Sequence, residues 1–361
     1  MKKTLALLCT AAVASGLLLT GCGATSGGAA AAPGSAGGGE VNVFNWGVYI
    51  DESVLEDFTR ETGIKVNYDT FESNESMYGV LKNDGASYDV VIPSDYMISR
   101  MIAEDMLEPL DFANIPNFSD IDPSLKNPSY DPENLYSVPY MWGVLGVIYN
   151  TTVVEGTPDS WGLLFDPAYA GQILMFNNSR DGMGVALKYS GYSYNTVDPS
   201  EIRTATDLLI QQKPLVQSYV MDEVFEKMQS GSAAICSYYY GDYRTMADVN
   251  PDLAFYVPKE GSNLYVDAMC IPKGAENKAN AEAFINFMCS TQAGLKNCEE
   301  TWYSTPLLSV REQLDPELVN NPDAYPGADF LSSRCEVYQN LPQDILALYD
   351  SEWTRLMLAS G

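Results

Sequence analysis

Short apolar runs alternate with amphipathic segments from residue 41 onward, and this alternation decides the class of fold. VNVFNW (41–46) alternates into a strand, and DESVLEDFTRETG (51–63) follows as a helix. Asp51 stands at that helix's cap, Val54, Leu55 and Phe58 share one face, and Gly63 ends it. KVNYDTF (65–71) is the next strand and SNESMYGVLKNDG (73–85) a second capped helix. YDVVIPS (88–94) then reads as a buried strand and DYMISRMIAEDMLEPL (95–110) as a third helix. The βαβαβα order predicts a mixed or parallel sheet flanked by helices.

A second set of elements follows YMWGVLGVIYN (140–150), a β-rich stretch with Gly143 and Gly146. QILMFN (172–177), SAAICSYYYG (232–241) and LAFYVPKEG (253–261) read as strands; helices fall near 183–192 and over 201–213. Ala281, Phe284, Ile285 and Met288 form a core stripe on a helix expected over 278–296. Two α/β halves joined by extended segments predict two lobes with a cleft between them.

Composition narrows the function. The 361 residues hold 48 Asp and Glu against 20 Lys and Arg, a net charge of −28, and no histidine. An acidic excess of this size opposes nucleic-acid binding, which needs clustered cations. Without histidine, Ser-His-Asp and Cys-His catalysis and His-ligated metals are closed to the chain. No cofactor or metal is expected.

Residues 1–21 have the build of a secretory signal, with Lys2 and Lys3 ahead of an apolar stretch from Leu5 to Leu19. Leu19-Thr20-Gly21-Cys22 resembles a bacterial lipobox, which implies lipidation of Cys22. Residues 23–39 contain only Gly, Ala, Ser, Thr and Pro. They should form a flexible tether with an end-to-end distance of about 20–25 Å. The folded part is then expected to begin near Glu40 and to work outside the cell membrane, held there by lipid. Cys236, Cys270, Cys289, Cys298 and Cys335 remain in it, an odd set, so at least one is free unless it pairs with another molecule. Cys270 and Cys289 lie in apolar runs and are expected in the core.

Several longer strings are more specific. FNWGVYIDESVLEDFTRETGIKVNYDTFESNESMY (44–78), YDVVIPSDYMISRMIAEDML (88–107), NLYSVPYMWGVLGVIYN (134–150), YVPKEGSNLYVDAMCIP (256–272) and STPLLSV (304–310) occur in this order. Together they resemble the bacterial spermidine/putrescine-binding proteins, the solute-binding component of polyamine ABC importers. The resemblance covers about residues 40–361. It implies a two-lobed periplasmic-binding-protein-like α/β fold, each lobe a mixed sheet flanked by helices, with the ligand cleft between lobes. Lobe 1 would comprise 40–147 and 266–311, and lobe 2 148–265 and 312–361, hinged near 144–150, 262–267 and 310–316. It further implies a monomer that closes on a polyamine and hands it to membrane permease subunits, without catalysing a reaction.

The chemistry of such a ligand is definite. Burying an ammonium is costly unless a carboxylate and further acceptors compensate. Aromatic faces suit both the methylenes and the charge, adding about 0.5–2 kcal/mol per cation–π contact. The resemblance implies an aromatic box of Trp46, Tyr49, Tyr96, Tyr239, Tyr265 and Tyr303, with Ser94 just before Tyr96. Tyr239 and Tyr265 stand where the family has Trp. Asp267 matches a carboxylate that takes an amine, Asp181 replaces Glu, and Asp242 matches a carboxylate of putrescine-selective relatives. Gln339 matches a polar group reaching one ligand end. Asn178 replaces a family acid, and Gly47-Val48 replace a hydroxyl and an acid, so that end should lose contacts.

Two other readings stay open on the residues alone. Tyr238–Tyr240 with nearby acids would suit a ferric-iron receptor of similar lobed build, and the plentiful carboxylates a surface hydrolase working with a carboxylate pair. RDGMG (180–184) lacks the GK[ST] ending and the full glycine spacing of a nucleotide loop.

Overall fold

The computed structural model describes residues 38–83 and 87–360. The expected signal segment 1–21, Cys22 and the tether up to residue 37 lie outside the described residues. Among the described residues ten strands form: β1 Glu40–Trp46, β2 Lys65–Phe71, β3 Val90–Val91, β4 Ser137–Asn150, β5 Ile173–Phe176, β6 Val216–Val220, β7 Ile235–Tyr239, β8 Leu253–Tyr256, β9 Ser262–Cys270 and β10 Cys335–Glu336.

β1 pairs parallel with β2 on one side and with β3 on the other, as the βαβαβα order requires. The sheet becomes mixed at β9, which runs antiparallel to both β3 and β4. β4 serves three partners along its length. Residues from Ser137 to Val144 pair with β9, and residues from Leu145 onward pair with β7 and β8. Beyond it β7 pairs with β5 and β5 with β6, both parallel. Every residue of β4 is buried, which its near-continuous apolar run anticipates. Gly143 is needed where β4 passes beneath Tyr265, because a Cβ there would sit 2.5 Å from the tyrosine hydroxyl.

Two apolar cores flank this crossing. The first gathers β1, β3 and the early part of β4 with Phe58, Met97 and Phe284, and the second gathers Leu145, Phe176, Leu209, Ile235 and Tyr349. Leu314, Leu318, Ala324 and Tyr325 pack in the first core, although the boundary expected at 311/312 assigned them to the second lobe. Core residues from Leu341 onward join the second. The chain therefore changes core between Tyr325 and Leu341.

Local chemistry trims several expected helices. The third ends at Ala103 instead of 110, because Asp105 turns into the left-handed region and Glu108 N–H pairs with the Ile271 carbonyl. The helix expected over 278–296 divides into Lys278–Met288 and Thr291–Thr301, since the Ser290 hydroxyl caps the second piece at Ala293 N–H. Cys236, Cys270, Cys289 and Cys298 are buried thiols, Cys335 is half-buried, and all five are free.

Candidate ligand-binding cleft

Parallel strands deliver their C-terminal ends, and the turns after them, to one side of an α/β sheet. Here those turns meet residues of the second core around a cleft with about 850 Å³ of open space, including its mouth. Ten of the eleven expected site residues line it: Trp46, Tyr49, Ser94, Tyr96, Asp181, Tyr239, Asp242, Tyr265, Asp267 and Tyr303. Gln339 does not. It is exposed, and its backbone is held by Asn195 and Arg180, so the preceding Tyr338 supplies the cleft wall instead.

Asp267, on β9, is 6% exposed. Its Oδ2 accepts from the Tyr49 hydroxyl at 2.7 Å and its Oδ1 from Ser94 Oγ at 2.6 Å. Ser94 is fixed in turn by Asn74, whose amide donates to its Oγ and accepts from its N–H. Burial pushes the Asp267 carboxyl up to about 6, against the two hydroxyl donors and with some help from Asp181.

Asp181 occupies the first turn of the helix Ser179–Tyr189 and accepts from the Tyr239 hydroxyl at 2.8 Å. Asn178 is that helix's N-cap: its Oδ1 accepts from Asp181 N–H at 2.8 Å, and its Nδ2 donates to Asp181 Oδ2 at 3.0 Å. Burial raises the Asp181 carboxyl as well. Asp242 accepts from the Tyr303 hydroxyl at 2.7 Å, and burial, reinforced by Asp222, lifts it to about 7.

The phenols form a connected wall. Tyr49 meets Tyr303 edge-on at 4.7 Å, and Tyr265 meets Tyr239 at 5.1 Å and Tyr303 at 6.2 Å. Trp46 packs on Phe71 at 4.6 Å and donates its indole N–H to the Ile92 carbonyl, which leaves a fixed face toward the cleft. Tyr96 donates to Glu75 at 2.8 Å. Of the tyrosine triplet, Tyr238 and Tyr239 line the cleft, whereas Tyr240 is hydrogen-bonded to Asn321 elsewhere.

Sequence reasoning missed Asn74, Glu75, Asp222 and Tyr338, all of which line the cleft. Asn74 sits within FESNESMY (71–78), where nothing in the sequence says that its amide will grip Ser94. The end beyond Trp46 is not bare, because Asp222 reaches it from across the cleft. A Cβ on Gly47 would lie 2.6 Å from Asp222 Oδ2. Val48, 60% exposed, holds φ 44° in that turn, a conformation costing on the order of 1–3 kcal/mol for a β-branched residue.

An aromatic and carboxylate cleft bounded by two α/β cores, with crossing strands beneath it, is the build of a solute-binding protein. The chain belongs to the family described as bacterial extracellular solute-binding proteins, whose pattern it matches over residues 53–326. A spermidine/putrescine-binding periplasmic protein of Salmonella typhimurium is 36% identical over 316 residues, covering 87% of this chain and 90% of that protein. A putrescine-binding periplasmic protein of Pseudomonas aeruginosa is 28% identical over 335 residues, 88% of this chain and 91% of the relative. A solved protein of Listeria monocytogenes described as a spermidine/putrescine ABC transporter superposes with a TM-score of 0.86 at 38% identity, covering 89% of this chain and 99% of that one. The spermidine/putrescine ABC transporter substrate-binding protein of Streptococcus pneumoniae gives 0.76 at 38% identity, with the same coverage.

Proposed function

We propose that this protein is an extracytoplasmic polyamine receptor that delivers spermidine or putrescine to an ABC importer and performs no reaction itself. One observation carries the reading. Among the described residues the cleft is lined by seven carboxylates, those of Glu72, Glu75, Asp95, Asp181, Asp222, Asp242 and Asp267, and by no lysine or arginine. A cavity of that composition calls for a ligand that brings positive charge, and its phenol and indole faces suit the methylenes between ammonium groups.

The ten cleft residues named above act as the ligand-binding set. Asp267 and Asp181 receive ammonium groups, oriented by Tyr49 and Ser94 and by Tyr239 and Asn178. The lobes are residues 40–144 with 264–325, and 145–263 with 338–361, joined through β4, β9 and the segment after Tyr325. They close on ligand as a hinged monomer. Cys22 carries the lipid that holds the receptor at the outer face of the membrane, within reach of permease subunits. Among the described residues no helix is long and apolar enough to cross a membrane.

Titration of ligand-stripped protein with putrescine, spermidine and spermine tests the proposal. Saturable binding to at least one amine, indifferent to EDTA and absent with lysine, supports it. No binding to any of them contradicts it.

A further inference from the structure

The outer end of the cleft is built by a contact between the two halves of the molecule. Gly47, in the turn after β1, belongs to the side of the first core, and Asp222 precedes the helix Glu223–Gln229 on the side of the second. They approach so closely that a methyl on Gly47 would overlap the Asp222 carboxylate. The other principal acids of the cleft already have hydroxyl donors: Asp267 from Tyr49 and Ser94, Asp181 from Tyr239, and Asp242 from Tyr303. The Asp222 carboxylate accepts no hydrogen bond and pairs with no cation among the described residues, its backbone carbonyl alone being taken by Phe225 N–H.

A second observation points to a ligand in the same cavity. The Tyr265 hydroxyl, on a side chain 6% exposed, is buried without a partner. Its residue lies over Gly143 and lines the cleft together with Asp267, Asp242 and Asp181. A buried phenol without a partner costs free energy unless something in the cavity meets it. The cavity thus holds three donor-supplied stations, at Asp181, Asp267 and Asp242, while the carboxylates of Asp222 and its charged neighbour Glu72 line it without a hydrogen-bond donor among the described residues.

We infer that Asp222 is the specificity-determining residue of this cleft, taking the terminal ammonium of an amine chain long enough to reach Gly47. The inference rests on the polyamine reading of the site. A short diamine is held by the inner carboxylates and does not extend to the mouth. A longer triamine places its last ammonium beside Asp222, and the glycine at 47 leaves room for the carboxylate to stand there.

Calorimetric titration of the unsubstituted protein, Asp222→Asn and Asp222→Ala with putrescine and spermidine tests this. Asp222 is exposed and its carboxylate unbonded, so its replacement leaves the fold intact. Each variant should lose about fivefold or more in spermidine affinity, as expected for a partly exposed charge pair, and less than about twofold for putrescine. Gly47→Ala should weaken spermidine binding in the native background, by displacing the carboxylate, and add nothing in the Asp222→Ala background. An unchanged spermidine affinity in Asp222→Asn, an equal loss for both amines, or a Gly47→Ala effect that persists without Asp222 overturns the assignment while leaving the receptor reading intact. Failure of the unsubstituted protein to bind any polyamine overturns both.

Discussion

Tyr49 and Asp267 lie 218 positions apart in the sequence and meet through a 2.7 Å hydrogen bond in the wall of the cleft. The phenol comes from the turn after β1 and the carboxylate from β9, so this bond exists only when the first core is assembled. It leaves the carboxylate buried in the cleft wall, with no ion-pair partner among the described residues.

Replacing Asp267 by Asn therefore keeps the shape of the wall and removes its charge. Polyamine affinity should fall by at least about tenfold, because an ammonium would be buried without its counter-charge. The thermal shift produced by spermidine should shrink in parallel. An affinity equal to that of the native protein would remove Asp267 from the site.

The raised carboxyls predict proton release on binding. Asp242 is lifted to about 7 and Asp267 to about 6, so near neutral pH a fraction of each is protonated in the empty cleft. An incoming ammonium stabilises the ionised forms and expels those protons. Calorimetry near pH 7 in buffers of different ionisation enthalpy should give heats that vary with the buffer, in the direction of proton uptake by buffer. Heats independent of buffer would refute the shifts.

The same groups set a pH trend in the stability of the empty protein. Their ordinary value is 3.8, so between about 4 and about 7 the folded chain binds more protons than the unfolded one. Stability from this source is fully present below about 4 and lost as pH rises through about 7. The native melting temperature should drop further than that of the Asp242→Asn/Asp267→Asn double variant between about pH 5 and pH 8. Parallel profiles would contradict the assignment.

Tyr239→Phe isolates the hydroxyl that orients Asp181 while keeping the ring that meets Tyr265. The loss of one hydrogen bond to a charged group should cost about 1.5–3 kcal/mol at most, or roughly tenfold to a hundredfold in affinity. Titration of this variant with spermidine and putrescine measures it. Unchanged binding would mean that Asn178 alone suffices to position Asp181.

Much of the cleft was legible through the family resemblance of its strings, and several of its residues sit at the ends of strongly patterned strands. Trp46 and Tyr49 follow the alternation of VNVFNW, and Ser94 and Tyr96 follow the apolar run of YDVVIPS. Contacts made only in three dimensions were not legible. Asn74 reads as the start of a capped helix, yet its amide holds Ser94. Nothing in the sequence marks Asp222, and only the close approach of Gly47 reveals where it stands. That Tyr338 and not Gln339 faces the cleft was not legible, because a chain without regular structure at 337–342 carries no periodicity from which to tell which side chain turns inward. The break at Ser290 was masked by an apolar stripe that the helix Lys278–Met288 satisfies by itself.

Calorimetric titration of the protein, unfolded and refolded to strip bound ligand, with putrescine, spermidine and spermine tests the central claim most directly. Micromolar or tighter binding to at least one of these amines, undisturbed by EDTA and weakened as the amines deprotonate at high pH, is the result predicted. The absence of heat with all three would contradict the polyamine-receptor account.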